Sequence, residues 1–294
     1  MAGSRFFCAL MLISGCGSLS ASAQTASAPV VTLTPSNVEA GSPEIIRVAA
    51  PAEAKPEGEW LGRKLDFFRA DTGDVWYALA GVDVEAPSGP SQLDISVTAG
   101  SVTQNLIQTI LIYPAHYRTS TLSVAPRFIA PSGEELRQID DEKKIKAAVF
   151  AASIPERLWH GGFRAPVRAE PTDSFGTRRV FNGELSSIHK GMDFRARTGT
   201  PVVADNAGIV VLARPLYYEG NCVILDHGLG LFTMDMHLSR IRVREGQRVA
   251  KGQLLGLSGA TGRVTGPHLH WAVRWQGAYL DPAKLLTLNL TALP

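Results

Sequence analysis

Between about Val30 and Tyr113 the apolar positions fall in short runs: Ile45-Ile46-Arg47-Val48, Val75-Trp76-Tyr77, Leu93-Asp94-Ile95-Ser96-Val97 and Thr109-Ile110-Leu111-Ile112-Tyr113, with Gly, Pro and Ser clusters between them. β-Branched and aromatic residues in runs this short, bounded by turn formers, predict strands. Strands at this spacing predict an immunoglobulin-like β-sandwich over residues 28–115. Trp60, Phe67, Phe68 and Trp76 are expected to fill its core.

The pattern then changes period. Ser132-Gly133-Glu134-Glu135 is a capping-box start, and Leu136, Ile139, Ile145 and Val149 recur at helical spacing through a charged stretch. A helix is predicted within a linker, 116–155, ending before Pro155 because proline is excluded from a helix interior. From about Gly162 strand-like runs return, as in Thr200-Pro201-Val202-Val203-Ala204, Gly208-Ile209-Val210-Val211-Leu212 and Asn221-Cys222-Val223-Ile224-Leu225. The chain is therefore expected to be all-β, with a helical linker and a second all-β domain over 156–294.

The first residues depart from both patterns. MAGSR, the apolar run Phe6 to Leu19 and the small residues Ala21-Ser22-Ala23 before Gln24 read as an export signal, residues 1–23. Ile13-Ser14-Gly15-Cys16 also resembles a lipobox, and a lipid on Cys16 is the one route to membrane attachment that the sequence offers. Both readings place the folded part outside the cytoplasm, in the periplasm or cell envelope. Of three cysteines, Cys8 and Cys16 lie in the leader; Cys222 sits in an apolar run and is expected to be a buried thiol without a disulfide. A net charge of +2 gives no electrostatic reason to expect nucleic acid as a partner.

Chemistry concentrates in the second half, where six of the seven histidines follow position 159. His189 and Asp193, four residues apart, can share one face of the chain. His268 and His270 alternate with Leu269, so on a strand both imidazoles point to one side. Two imidazoles and a carboxylate make a three-donor zinc site that leaves a fourth position open, the arrangement of catalytic rather than structural zinc. Spacing does not say which histidine of the 268/270 pair binds metal. His237, in Met236-His237-Leu238-Ser239, adds a titratable group with an unperturbed pKa near ~6.5 that can handle protons.

At these positions the chain resembles the lysostaphin-like (LytM-type) zinc endopeptidases. The likeness runs from Phe175-Gly176-Thr177-Arg178-Arg179 through His189-x-x-x-Asp193, Gly199-Thr200-Pro201-Val202, Asp226-His227-Gly228, His237-Leu238-Ser239 and Gly266-Pro267-His268-Leu269-His270-Trp271 to Asp281-Pro282. The resemblance implies that His189, Asp193 and His270 hold Zn2+, that His237 and His268 assist catalysis, and that the substrate is the peptide stems of peptidoglycan. It implies a lysostaphin-like β-sheet fold for 156–294, and structural duty for His227. Asp235 departs from the pattern, standing where the family often has tyrosine; it either hydrogen-bonds a catalytic histidine or faces solvent. Loops Thr261-Gly262-Arg263 and Thr265-Gly266-Pro267 are expected to border the groove, with Arg263 a candidate contact for a substrate carboxylate. A rival function is that of a non-catalytic LytM-type regulator that activates a cell-wall amidase; such regulators usually lack the metal ligands. Which amide is cut is not legible.

Overall fold

The computed structural model describes residues 29–69, 73–183 and 185–290. The proposed leader and Cys16 lie outside them. No helix among the described residues is long and apolar enough to cross a membrane.

The N-terminal part holds two sheets. Val30–Thr34, Pro43–Ala49, Val75–Gly81 and Phe68–Arg69 form one, in that order; Val38–Glu39, Val102–Tyr113, Gly89–Ala99, Lys55–Trp60 and Arg63–Leu65 form the other. Each predicted run lies in a strand. Gly89–Ala99 shows why: Leu93, Ile95 and Val97 are buried while the residues between them are only partly covered. That alternation gives a sheet one apolar face, and the two apolar faces meet in a common core around Ile46, Val48, Ala78, Trp60 and Leu93. Trp60 is buried, whereas Phe67, Phe68 and Trp76 are partly buried and pack against this core.

The helix spans Gly133–Ala151, and its capping box is formed: Glu135 N donates to Ser132 Oγ at 3.3 Å and Ser132 N to Glu135 Oε2 at 2.7 Å. These two bonds satisfy backbone donors that the first turn leaves without partners. Within the stretch expected to be linker, Thr119–Leu122 is a strand, paired in parallel with Arg178–Phe181. Four residues of mixed polarity carry no period by which to detect it.

The C-terminal domain is built on one large sheet. Along its path run Pro171–Asp173, Met192–Phe194, Leu269–Trp275, Leu231–Leu238, Gly220–Asp226, Gly208–Leu216 and Arg248–Val249, with antiparallel neighbours throughout. Its central strands are buried on both faces. Ile145, Val149 and Phe150 of the helix cover Ile224, Phe232, Met234 and Ala272 on one face; Trp271, Val273 and Trp275 enter the main core on the other. The helix therefore shields part of the face that carries His270 and leaves the rest open as a groove.

Candidate metal centre

Strand register sets the first two donors side by side. Asp193 on Met192–Phe194 is paired with His270 on Leu269–Trp275. The third, His189, comes from the connection just before Met192–Phe194. Its Nδ1–H donates to the Ser174 carbonyl at 2.9 Å, which fixes the tautomer and leaves the Nε2 lone pair free. That Nε2 lies 3.0 Å from Asp193 Oδ1 and 2.9 Å from His270 Nδ1, and His270 Nδ1 is 2.9 Å from the same carboxylate oxygen. Gly191 makes room for this triangle: a Cβ there would stand 2.5 Å from His270 Nε2.

This donor set fits a zinc ion. Two ring nitrogens and a carboxylate oxygen, all buried, converge with His189 Nε2 unprotonated, so at most one proton is available to mediate three close contacts between lone pairs. A cation relieves that repulsion. Tetrahedral zinc with bonds of about 2.0–2.2 Å places its ligands roughly 3.3–3.6 Å apart, which small side-chain shifts reach from the 2.9–3.0 Å spacing here.

Electrostatics agree. Burial would raise the pKa of Asp193, but the close approach of the His189 and His270 rings outweighs it and holds the carboxyl far below its ordinary range. Burial pushes His270 down to about 4 against the pull of Asp193, so its ring is neutral at physiological pH. Asp193 Oδ2 is further clasped by Arg179 Nη2 at 2.5 Å, and the same guanidinium bridges to Asp173 Oδ2 at 2.5 Å. The pairing of Asp173 and Arg179 with the donors is the feature that reading the sequence missed. In the sequence Arg179 stands only as part of a motif, and no spacing rule links it to Asp193.

His237 and His268 stand beside the triangle. In regular alternation Met236 and His237 would face opposite sides, yet His237 has φ 62 and its strand partner Gly220–Asp226 shifts register between Asn221 and Val223. The left-handed backbone, uncommon for a non-glycine residue, turns the ring to the site face. Ring centroids of His237 and His268 are 4.8 Å apart, and those of His237 and His270 6.0 Å. His237 Nδ1–H donates to Thr261 O at 2.9 Å and His268 Nδ1–H to Gly266 O at 2.8 Å, so the tautomer of each neutral ring has its lone pair on Nε2. Burial, then the neighbouring His270 and His268, push His237 down to about 3.

The remaining expectations divide. His227 is buried behind the sheet, bonded to Ala207 O at 2.7 Å and Thr233 Oγ1 at 2.8 Å. Cys222 is a buried free thiol whose pKa burial pushes up. Asp235 meets neither alternative: it is buried on the far face, opposite Trp271 in register, and both its oxygens lack a hydrogen-bond partner. Burial, then the Asp205 carboxylate, push its pKa well above the ordinary carboxylate value. The groove over the donors has a volume of about 940 Å³, and Thr119, Ser120 and Leu122 line one wall while Arg263 and Thr265 lie on another.

A family model described as Peptidase family M23 matches residues 187–282. Peptidoglycan DD-endopeptidase ShyA of Vibrio cholerae serotype O1 is 47% identical over 96 residues, 33% of this chain and 22% of that protein. Its ShyB is 41% identical over 96 residues with the same shares. The matched region thus spans about a fifth of the length of these curated relatives. The crystal structure of a putative peptidase M23 from Pseudomonas aeruginosa aligns with a TM-score of 0.66 at 28% identity, covering 84% of this chain and 94% of that one. That share exceeds what the C-terminal domain alone could supply, so the common fold reaches into the N-terminal part. Through residues 187–282 the chain belongs to peptidase family M23, the LytM-type metallopeptidases.

Proposed function

We propose that this protein is a zinc-dependent endopeptidase of the bacterial envelope that hydrolyses peptide cross-links of peptidoglycan, acting on the D,D amide. The reading is carried by one observation: His189, Asp193 and His270 converge on one point at the floor of an open groove, with the imidazoles of His237 and His268 beside them. The names of ShyA and ShyB, peptidoglycan DD-endopeptidases, support the substrate and the bond. A complete donor set argues against the rival role as a non-catalytic amidase regulator.

Zinc, when bound by His189 Nε2, Asp193 and His270 Nδ1, supplies a Lewis acid that polarises the scissile carbonyl and acidifies a water. Arg179 holds Asp193 in orientation, and Ser174 O keeps His189 in the ligating tautomer. His237 Nε2 and His268 Nε2 are the bases at hand. One takes a proton as water adds to the carbonyl carbon, and a proton passes to the amide nitrogen as the C–N bond breaks, leaving a carboxylate and an amine. The Nδ1 bonds to Thr261 and Gly266 hold both rings in position through that exchange.

The test is zinc content together with digestion of purified sacculi. Wild-type protein should carry one zinc and release cross-linked muropeptides as monomers, and His189→Ala should lose both properties. Muropeptide release by His189→Ala at the wild-type rate would overturn the assignment.

A further inference from the structure

Four cationic side chains line the groove: Arg118, Arg179, Lys190 and Arg263. Three are matched by acids of the same walls. Arg118 pairs with Asp173 at 3.0 Å, Arg179 with Asp173 and Asp193, and Lys190 with Glu85 at 2.7 Å. Arg263 makes no ion pair among the described residues. Its guanidinium lies instead between the rings of Phe181 and Tyr218, 4.6 and 4.5 Å from their centroids. Glu219, the acid that acts on it electrostatically, is committed to Lys146.

Two rings on a guanidinium fix its plane and leave its N–H edge available. They also strip water from it: burial pushes the Arg263 pKa down, the mark of a cation short of solvation. A carboxylate would supply what the rings cannot, two parallel charge-assisted hydrogen bonds.

The position is fixed relative to the reacting groups. Arg263 N donates to Tyr218 O at 2.9 Å, His237 N to Glu219 O at 2.8 Å, and His237 Nδ1 to Thr261 O at 2.9 Å. Backbone touches backbone here: a Cβ on Gly262 would lie 2.3 Å from Gly220 N, and one on Gly220 would lie 2.3 Å from Thr261 Oγ1. The loop that carries Arg263 and the turn that carries His237 thus move as one piece. Phe181 in turn packs on Leu122, Val124 and Phe128, so the segment ahead of the helix supports the clasp from behind.

We propose that Arg263 is a specificity-determining residue: it selects peptides that present a free carboxylate next to the amide being cut. The assignment rests on the peptidase function proposed above and names the chemistry its substrate must carry. Its test uses two cross-linked peptides that differ only in a carboxylate or carboxamide on the residue adjoining the scissile amide. Kinetics are measured on the zinc-loaded full chain, and calorimetry measures binding of the two product peptides. Wild type should favour the carboxylate about 10–100-fold in kcat/KM, mostly through KM, the range of one charge-assisted pair. Arg263→Gln should bring that ratio close to one, and Arg263→Lys should restore part of it. Equal use of both peptides by wild type, or an equal loss on both in Arg263→Gln, would overturn the assignment while leaving the peptidase function intact. Cleavage of neither peptide by wild type would count against the peptidase function itself; acid-over-amide preference in product binding would then decide the role of Arg263 alone. The wild-type comparison keeps the test decisive even where a variant fails to fold.

Discussion

In the N-terminal sheets, Leu93, Ile95 and Val97 of Gly89–Ala99 are buried while the residues between them are partly covered, and among the described residues of 30–113 the buried polar side chains are Ser42 and Glu44. In the C-terminal sheet, Leu231–Leu238 and Leu269–Trp275 are buried almost throughout, and the same interior holds His189, Asp193, Asp205, Asp226, His227, Asp235, His237 and His270. A sheet with one wet face can put its polar residues there at no cost. A sheet covered on both faces cannot, so a polar group that stays inside must be satisfied or must serve chemistry. The large sheet does each on a different face, with Asp235, buried behind it without a hydrogen-bond partner, the exception. Behind it, Asp205 accepts from Trp271 Nε1 at 2.8 Å and Asp226 from Ile154 N and Gly228 N, both at 2.8 Å. In front of it the polar atoms converge on one another.

The largest effect that would break this contrast comes from the front face. His270→Ala should abolish zinc binding, read by elemental analysis, and lower muropeptide hydrolysis by more than ~10³-fold, with an unchanged circular dichroism spectrum. If the variant unfolds instead, the donor cluster is structural and the contrast fails. His237→Gln comes next: it should keep its zinc and lose roughly 10²–10⁴-fold in kcat, because a proton carrier is removed while the donor set stays.

The N-terminal acid gives a smaller effect with the opposite sign. Burial raises Glu44 to about 8 against the hydrogen bond with Ser42, whose Oγ lies 2.6 Å from Glu44 Oε1. A carboxyl that is neutral when folded but ionised when unfolded costs stability as pH climbs from about 4.5, its ordinary value, to about 8. Glu44→Gln should remove that dependence and stabilise the protein by about 2–3 kcal/mol at pH 7, with little change at pH 4, in urea titrations at both values. A gain independent of pH would refute the buried neutral acid. Smallest of all, Arg214→Ala should shift stability by only about 0–1 kcal/mol, because its pair with Glu245 is exposed to solvent. A loss beyond ~2 kcal/mol would show that surface charge matters here as much as burial.

How much of this was legible depends on how local each signal is. The helix Gly133–Ala151 was readable to its cap because Ser132 and Glu135 bond each other within one turn. The strands were readable from runs of apolar residues, and the His268/His270 pair from its two-residue spacing. The choice between those two histidines was not readable from spacing; the family resemblance implied His270, and the register of Asp193 against His270 puts the same residue among the donors. Asp235 defeated both alternatives because burial on the far face is a property of the layer that covers it.

The sequence by itself determined the all-β character and the linking helix, since each is written in composition or short-range spacing, and its family resemblance singled out the five residues that line the groove. Tertiary structure alone decided that Arg179 ties Asp173 to Asp193, that His237 turns through a left-handed residue to face the site, and that Phe181 and Tyr218 clasp Arg263. Those contacts join positions far apart in the chain, and charge or ring pairing across a fold leaves no period for a sequence to show.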